Sequence, residues 1–229
     1  MEAKNKVVEY MSVLNFLSQH ADYYDEYALQ NIKSYAKRGI AKELYFTDTI
    51  REIYDHLGYI PDDKNIYIAF LKLLEQVHGI EGRNIIEVGG GTIPCLGRRI
   101  NLQQHSGTIT VYDPRIGKDF EGNERFVLKR EPFTEKTKLG NADLIIGLMP
   151  CKGAEPLIEQ ATKHHIDFML WFCEGGPHGD YIDYFEDEQE WLGSAMYMVD
   201  RGMEDHKMGQ LVKTKLEDYS HYPIIYNQR

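Results

Sequence analysis

The chain has 229 residues, of which 42% are hydrophobic and 27% charged, so it can build one hydrophobic core, which excludes disordered, coiled-coil and collagen-like proteins. Its net charge of −10 disfavours a long nucleic acid as partner, because a surface that binds nucleic acid must neutralise phosphates with positive charge. No apolar run is long enough to span a membrane and no secretory signal is recognisable, so we expect a cytoplasmic protein. Cys95, Cys151 and Cys173 lack CxxC spacing, so we expect neither disulfides nor a thiolate zinc site.

Residues up to about 80 are predicted to be helical. Apolar side chains recur there at helical spacing in two series, namely Val7, Met11, Leu14 and Leu17, then Ile66, Phe70, Leu73 and Val77. Thr49 and Glu52 have the spacing of a capping box. We predict a helical cap over residues 1–62, packed on a second domain over residues 63–229. The tyrosine-rich segment 23–27, placed in the second helix, can line a ligand pocket or fill the core, and the cap can form a lid or a homodimer interface.

From residue 84 the pattern changes to short apolar runs, which are typical of buried parallel strands covered by helices on both faces. The runs are NIIEV, TITVYD, FVLKR, ADLIIGLM and IDFMLWF, followed by MGQLVKTKL and YPIIYNQR, which are predicted to pair as a hairpin. The segment 114–125 is too polar and too rich in glycine for a full helix. The predicted fold class is α/β, a doubly wound, mostly parallel seven-stranded sheet with a C-terminal antiparallel hairpin, preceded by the helical region.

The most informative stretch is the turn after the first strand. Gly89, Gly90 and Gly91 let the backbone approach a ligand closely, and the helix that begins near Pro94 offers unpaired N–H groups. Asp113 ends the next strand 22 positions after Gly91, so both turns are expected at the same edge of the sheet. A carboxylate there can accept both hydroxyls of a ribose, or it can cap the turn before Pro114. Glu87 is costly to bury within its strand unless it receives hydrogen bonds.

These features resemble class I S-adenosylmethionine-dependent methyltransferases over residues 64–229. EVGGGT matches the acid-x-Gly-x-Gly loop of that family and Asp113 its ribose-binding acid, whereas Pro94 stands where a dinucleotide fingerprint needs a third glycine and Ile93 replaces the frequent third glycine of the family. The resemblance implies a Rossmann-like fold with S-adenosyl-L-methionine as cofactor. It implies that the methionine pocket is shaped by Glu87, Gly89, Gly90 and Gly91, and that Asp113 holds the ribose. It also implies that Arg130 and Glu131, at the end of the third strand, border the adenine, and that the backbone at Leu148 and Met149 closes the site.

The ends of the fourth and fifth strands are expected to carry the chemistry. Pro150 is followed by Cys151 rather than by the Pro-aromatic pair of the enzymes that methylate amino groups of nucleic acids. Cys151 with Glu174 resembles the pair of the pyrimidine carbon-5 methyltransferases, but the motif order and the acidic charge oppose that role, and a packed cysteine is the alternative. We predict His178 as general base with Glu174 beside it; a solvent-exposed loop histidine and a helix cap are the alternatives.

The sequence thus predicts a methyltransferase for a small-molecule acceptor, with no metal site, since its nine histidines lack metal-ligand spacing. Two alternatives stay open: an aminocarboxypropyl transferase similar to nicotianamine synthases, and a protein that binds the cofactor as a sensor or assembly partner without catalysis. The acidic segment 180–190 suits the start of a helix, where negative charge is favourable. It is expected beside the edge of the sheet that carries the chemistry, and there it favours a neutral or cationic acceptor over an anionic polymer.

Overall fold

The computed structural model describes residues 2–38, 48–103, 107–172, 208–216 and 224–228. Its α-helices are α1 (Glu2–His20), α2 (Glu26–Arg38), α3 (Asp48–His56), α4 (Ile66–His78), α5 (Cys95–Leu102) and α6 (Ala154–His164). The start of α4 has a local cause, because the Asn65 side chain accepts hydrogen bonds from the amides of Tyr67 and Ile68. Within the described ranges, none of these helices combines the length and apolarity needed to cross a membrane.

Seven strands form one sheet in the order β3-β2-β1-β4-β5-β7-β6. They are β1 (Ile85–Val88), β2 (Ile109–Tyr112), β3 (Phe126–Lys129), β4 (Leu144–Leu148), β5 (Asp167–Trp171), β6 (Gln210–Thr214) and β7 (Ile224–Gln228). The first five run parallel, whereas β7 is antiparallel to both β5 and β6. The predicted fold class is therefore confirmed, including the C-terminal hairpin.

Helices cover the sheet less evenly than the sequence pattern predicts. α5 connects β1 to β2 and α6 connects β4 to β5. The β2–β3 connection has no helix, as expected from its polar sequence, and neither does the β3–β4 connection over residues 130–143. A groove of about 680 Å³ consequently lies along β1 to β3 on the side of Tyr112, with Glu131 in its lining.

The N-terminal helices share one hydrophobic core with a face of the sheet. Alternating residues of β5 divide between the faces: Met169 and Trp171 pack with the N-terminal helices, and Phe168 and Leu170 pack with α6. Trp171 stacks on Phe70 of α4 with ring centroids 6.2 Å apart. A common core of this kind fixes the N-terminal helices beside the carboxyl edge of β1, while the boundary between residues 62 and 63 stays a prediction.

Candidate functional site

The glycine loop and the acid after β2 meet at the carboxyl edge of the sheet. The Gly89 amide donates to the Tyr112 carbonyl at 2.9 Å, which extends the pairing of β1 with β2 by one residue. The Gly91 amide then donates to Oδ2 of Asp113 at 2.9 Å. Gly89 and Gly91 have φ values of 78° and 75°, a conformation that side-chain-bearing residues rarely adopt. The sequence prediction that these two turns lie together is thus correct in geometry, whereas their role in binding stays a prediction.

The turn after β4 packs against this loop. A Cβ added to Gly89 would lie 2.6 Å from Cα of Pro150, so the close approach requires glycine. Met149 and Cys151, on either side of Pro150, have φ values of 55° and 48°. Such left-handed conformations cost energy for bulky residues and cluster at ligand sites. Leu148 and Met149 therefore lie beside the glycine loop, where the resemblance implies a closing backbone.

Glu52 of α3 is a site residue that the sequence prediction missed. It is only 6% exposed, and its Oε2 accepts hydrogen bonds from the amides of Thr92 at 3.0 Å and Ile93 at 3.2 Å. Its other oxygen fills the space beside Gly91, where a Cβ would overlap it. The helix predicted near Thr49 begins at Asp48, and the Glu52 carboxylate caps the glycine loop, a contact that the capping-box interpretation did not include.

Asp113 is buried and fully engaged by its neighbours. The Arg115 guanidinium donates through Nε to Oδ1 at 3.1 Å and through Nη2 to Oδ2 at 2.9 Å. These bonds, together with the nearby charges of Asp113 and Glu52, raise the pKa of Arg115 against the opposing effect of burial. The arginine therefore stays charged at the edge of the sheet, in front of the acid predicted to bind ribose.

The Glu87 side chain lies under α5 and beside the glycine loop, since a Cβ added to Gly90 would lie 3.8 Å from its Oε1. It is 2% exposed, and a Cβ added to Gly97 of α5 would lie 2.6 Å from its Oε2. Burial raises the pKa of Glu87 to about 8; the Asp113 charge acts in the same direction and the backbone of Gly97 opposes it. Among the residues that the structure describes, Oε2 has no hydrogen-bond partner. The carboxyl group is therefore largely protonated at neutral pH, and its predicted contribution to the methionine pocket stays a prediction.

Two side chains outside the loop after β2, those of Arg130 and Tyr23, form hydrogen bonds with it. Arg130 donates from Nη2 to the carbonyls of Gly117 at 3.0 Å and Phe120 at 2.7 Å. Tyr23 donates its hydroxyl to Oδ2 of Asp119 at 2.6 Å and accepts from the Asp119 amide at 2.9 Å. Arg130 thus supports the loop, whereas Glu131 faces the groove along β1 to β3.

The tyrosine-rich segment 23–27 spans the junction between α1 and α2. Tyr23 and Tyr24 precede α2, which begins at Glu26, whereas Tyr27 lies within the second helix as predicted. Tyr24 buries its hydroxyl without a hydrogen-bond partner in the described chain. Its pKa is raised by burial and by the charge of Glu52. Tyr24 packs against the core that the N-terminal helices share with the sheet, and contact of the segment with substrate stays a prediction.

Several predicted groups lie outside the described residues. They are His178, Glu174, Cys173 and the acidic segment 180–190. In the ranges that are described, no three or more His, Cys, Asp or Glu side chains are grouped so as to hold a metal ion.

Comparison with known proteins gives structural likeness only. No family model and no curated protein matches the chain. Similar solved structures include magnesium protoporphyrin IX methyltransferase (ChlM) from Synechocystis PCC 6803 with bound SAH, at 12% identity and a TM-score of 0.47 over 91% of this chain and 97% of that one. A point mutant of MtNAS is 12% identical, with a TM-score of 0.45 over 88% of this chain and 76% of that one. The antibiotic-resistance methyltransferase Kmr is also 12% identical, with a TM-score of 0.45 over 69% of this chain and 91% of that one.

The strand order of the sheet, rather than these likenesses, defines the class of fold. Five parallel strands in the order 3-2-1-4-5, completed by an antiparallel hairpin, form a doubly wound, Rossmann-like α/β fold. The ligand and the reaction have to be argued from the site itself, because one fold can carry many activities.

Proposed function

We propose that this protein binds S-adenosylmethionine at the carboxyl edge of β1 and β2 and transfers its methyl group to a small neutral or cationic acceptor. The observation that carries the proposal is the buried Glu52 carboxylate on the glycine loop. It accepts from the amides of Thr92 and Ile93, which lie immediately before α5.

This arrangement distinguishes two nucleoside cofactors. A dinucleotide places its pyrophosphate against the N–H groups at the start of the helix after β1. Here the Glu52 carboxylate already occupies the amides of Thr92 and Ile93, in the loop just before that helix, and so opposes a pyrophosphate at the loop. S-adenosylmethionine carries no phosphate, while its sulfonium and ammonium groups are attracted by carboxylates. The Glu52 carboxylate on the loop thus favours the sulfonium cofactor over a dinucleotide.

The residues present fit such a group. Gly89 and Gly91 offer backbone without side chains, Asp113 offers a carboxylate for ribose, and the turn at Met149 packs against the loop. When bound, the cofactor supplies an electrophilic methyl group. The work of the protein is then to orient the acceptor and exclude water, with His178 as the predicted base that removes a proton from the acceptor.

The nature of the acceptor follows from charge. A net charge of −10 on the chain repels an anionic polymer and is compatible with a small neutral or cationic molecule. Aminocarboxypropyl transfer is distinguished from methyl transfer by its by-product, because it leaves methylthioadenosine where methyl transfer leaves S-adenosylhomocysteine. A pure sensor would release neither.

The test begins with mass spectrometry of the purified protein for a retained nucleoside. Isothermal titration calorimetry then compares S-adenosylhomocysteine with NADH. We expect the former to bind and the latter not, and Asp113→Ala to lower the affinity for S-adenosylhomocysteine at least tenfold. Asp143→Ala is the matched control, since that aspartate binds the Asn84 amide at the opposite edge of the sheet. Preferential binding of NADH, or unchanged affinity in Asp113→Ala with its circular dichroism intact, would contradict the proposal.

A further inference from the structure

We propose that the Arg115 guanidinium occupies the ribose position on Asp113 and that the nucleoside must displace it in order to bind. This inference rests on the proposed function, because it concerns how the same carboxylate receives the cofactor. It makes Arg115 a determinant of affinity that acts through Asp113.

The hydrogen bonds of Asp113 carry the argument. Its Oδ1 accepts from the Arg115 amide at 2.7 Å and from Nε of Arg115 at 3.1 Å. Its Oδ2 accepts from the Gly91 amide at 2.9 Å and from Nη2 of Arg115 at 2.9 Å. A carboxylate has about four lone-pair positions. All of them are therefore used, and no pair of acceptor positions remains for the two hydroxyls of a ribose.

Only two of the four bonds can be exchanged. The amides of Gly91 and Arg115 belong to the turns that follow β1 and β2, so their bonds to Asp113 are part of the fold. The other two come from the guanidinium fork, which presents two adjacent N–H donors to the two oxygens. A ribose presents two adjacent O–H donors in the same way. The fork thus imitates the diol that we expect at Asp113.

The arginine is free to leave, whereas the aspartate is not. The Arg115 side chain is 61% exposed and that of Asp113 only 4%. Rotation of Arg115 therefore opens no cavity in the core, and the negative charge of Glu52, which already stabilises the guanidinium, remains nearby. The apparent affinity for a nucleoside is consequently the intrinsic affinity multiplied by the fraction of molecules in which Arg115 has left Asp113.

The experiment removes the fork and measures the affinity for the diol. Calorimetry with S-adenosylhomocysteine compares the unmodified protein with Arg115→Met, which keeps the length of the side chain but has no donors. We expect about tenfold tighter binding by the variant. Adenosine should gain similarly, whereas 2′,3′-dideoxyadenosine, which lacks the diol, should gain nothing. Arg83→Met is the matched control, because it removes an ion pair with the buried Asp167 at the opposite edge and should leave affinity unchanged.

The outcomes separate the inference from the proposed function. If the unmodified protein binds S-adenosylhomocysteine and Arg115→Met binds it equally or more weakly, the inference is wrong while the function stands. An equal gain for the dideoxy compound also overturns it, because the gain would then not involve the diol. If neither protein binds with the fold intact, the proposed function fails and the inference fails with it. Should Arg115→Met not fold, Arg115→Gln, which has no fork, replaces it under the same criteria.

Discussion

Replacing Glu87 by glutamine should abolish a large part of the pH dependence of stability. Burial raises the pKa of this carboxyl group from its ordinary value of 4.5 to about 8 in the folded chain. As the pH rises between these values, the unfolded chain releases the proton while the folded chain retains it, so the free energy of unfolding falls. Each pKa unit corresponds to about 1.4 kcal/mol, and the loss between about pH 5 and about pH 8 is roughly 3 to 4 kcal/mol.

Urea denaturation followed by circular dichroism measures this loss at several pH values. The informative quantity is the difference in unfolding free energy between Glu87→Gln and the unmodified protein, since contributions of other titrating groups cancel in it. We expect only a small advantage for the variant at about pH 5, and an advantage larger by roughly 3 to 4 kcal/mol at about pH 8. Glu159→Gln, an exposed substitution on α6, should show no such trend. Parallel pH profiles of Glu87→Gln and the unmodified protein would refute the reasoning.

Three further predictions concern the carboxyl edge. Gly91→Ala should cost about 2 kcal/mol more stability in thermal denaturation than Gly140→Ala, because both glycines have positive φ but only Gly91 would crowd Glu52, and equal losses would contradict the packing described. Glu52→Gln should weaken binding of S-adenosylmethionine about tenfold more than binding of S-adenosylhomocysteine in calorimetry, because only the former carries a sulfonium charge; an unchanged ratio would exclude an electrostatic role. Once an acceptor is known, His178→Ala should slow turnover roughly a hundredfold, and unchanged turnover would remove His178 from the mechanism.

The strands and their order follow from local patterns. The runs around Ile86, Val111 and Ile146 are apolar over the length of one strand, and such runs with intervening polar segments predict a parallel sheet. The polar segment 114–125 correctly predicted a connection without a helix. The connection over residues 130–143 was not foreseen, because the missing helix depends on how that segment packs on the sheet.

The site was predictable only in its backbone. Three consecutive glycines after a strand require a tight turn, and the acid 22 positions later had to end the neighbouring strand. Their meeting at the Gly91 amide confirms that geometry. The direction of the Glu87 side chain was not foreseen, because an acid within a buried strand can face either side of the sheet.

The sequence by itself determined the fold class, the glycine loop and the position of Asp113, because strand periodicity and the absence of a Cβ act within a few residues. Only the tertiary structure decided which groups surround that loop. Glu52 reaches the amides of Thr92 and Ile93 across 40 and 41 positions of the chain. Such contacts depend on how helices pack against the sheet, and this packing is set by the shared core rather than by any local pattern.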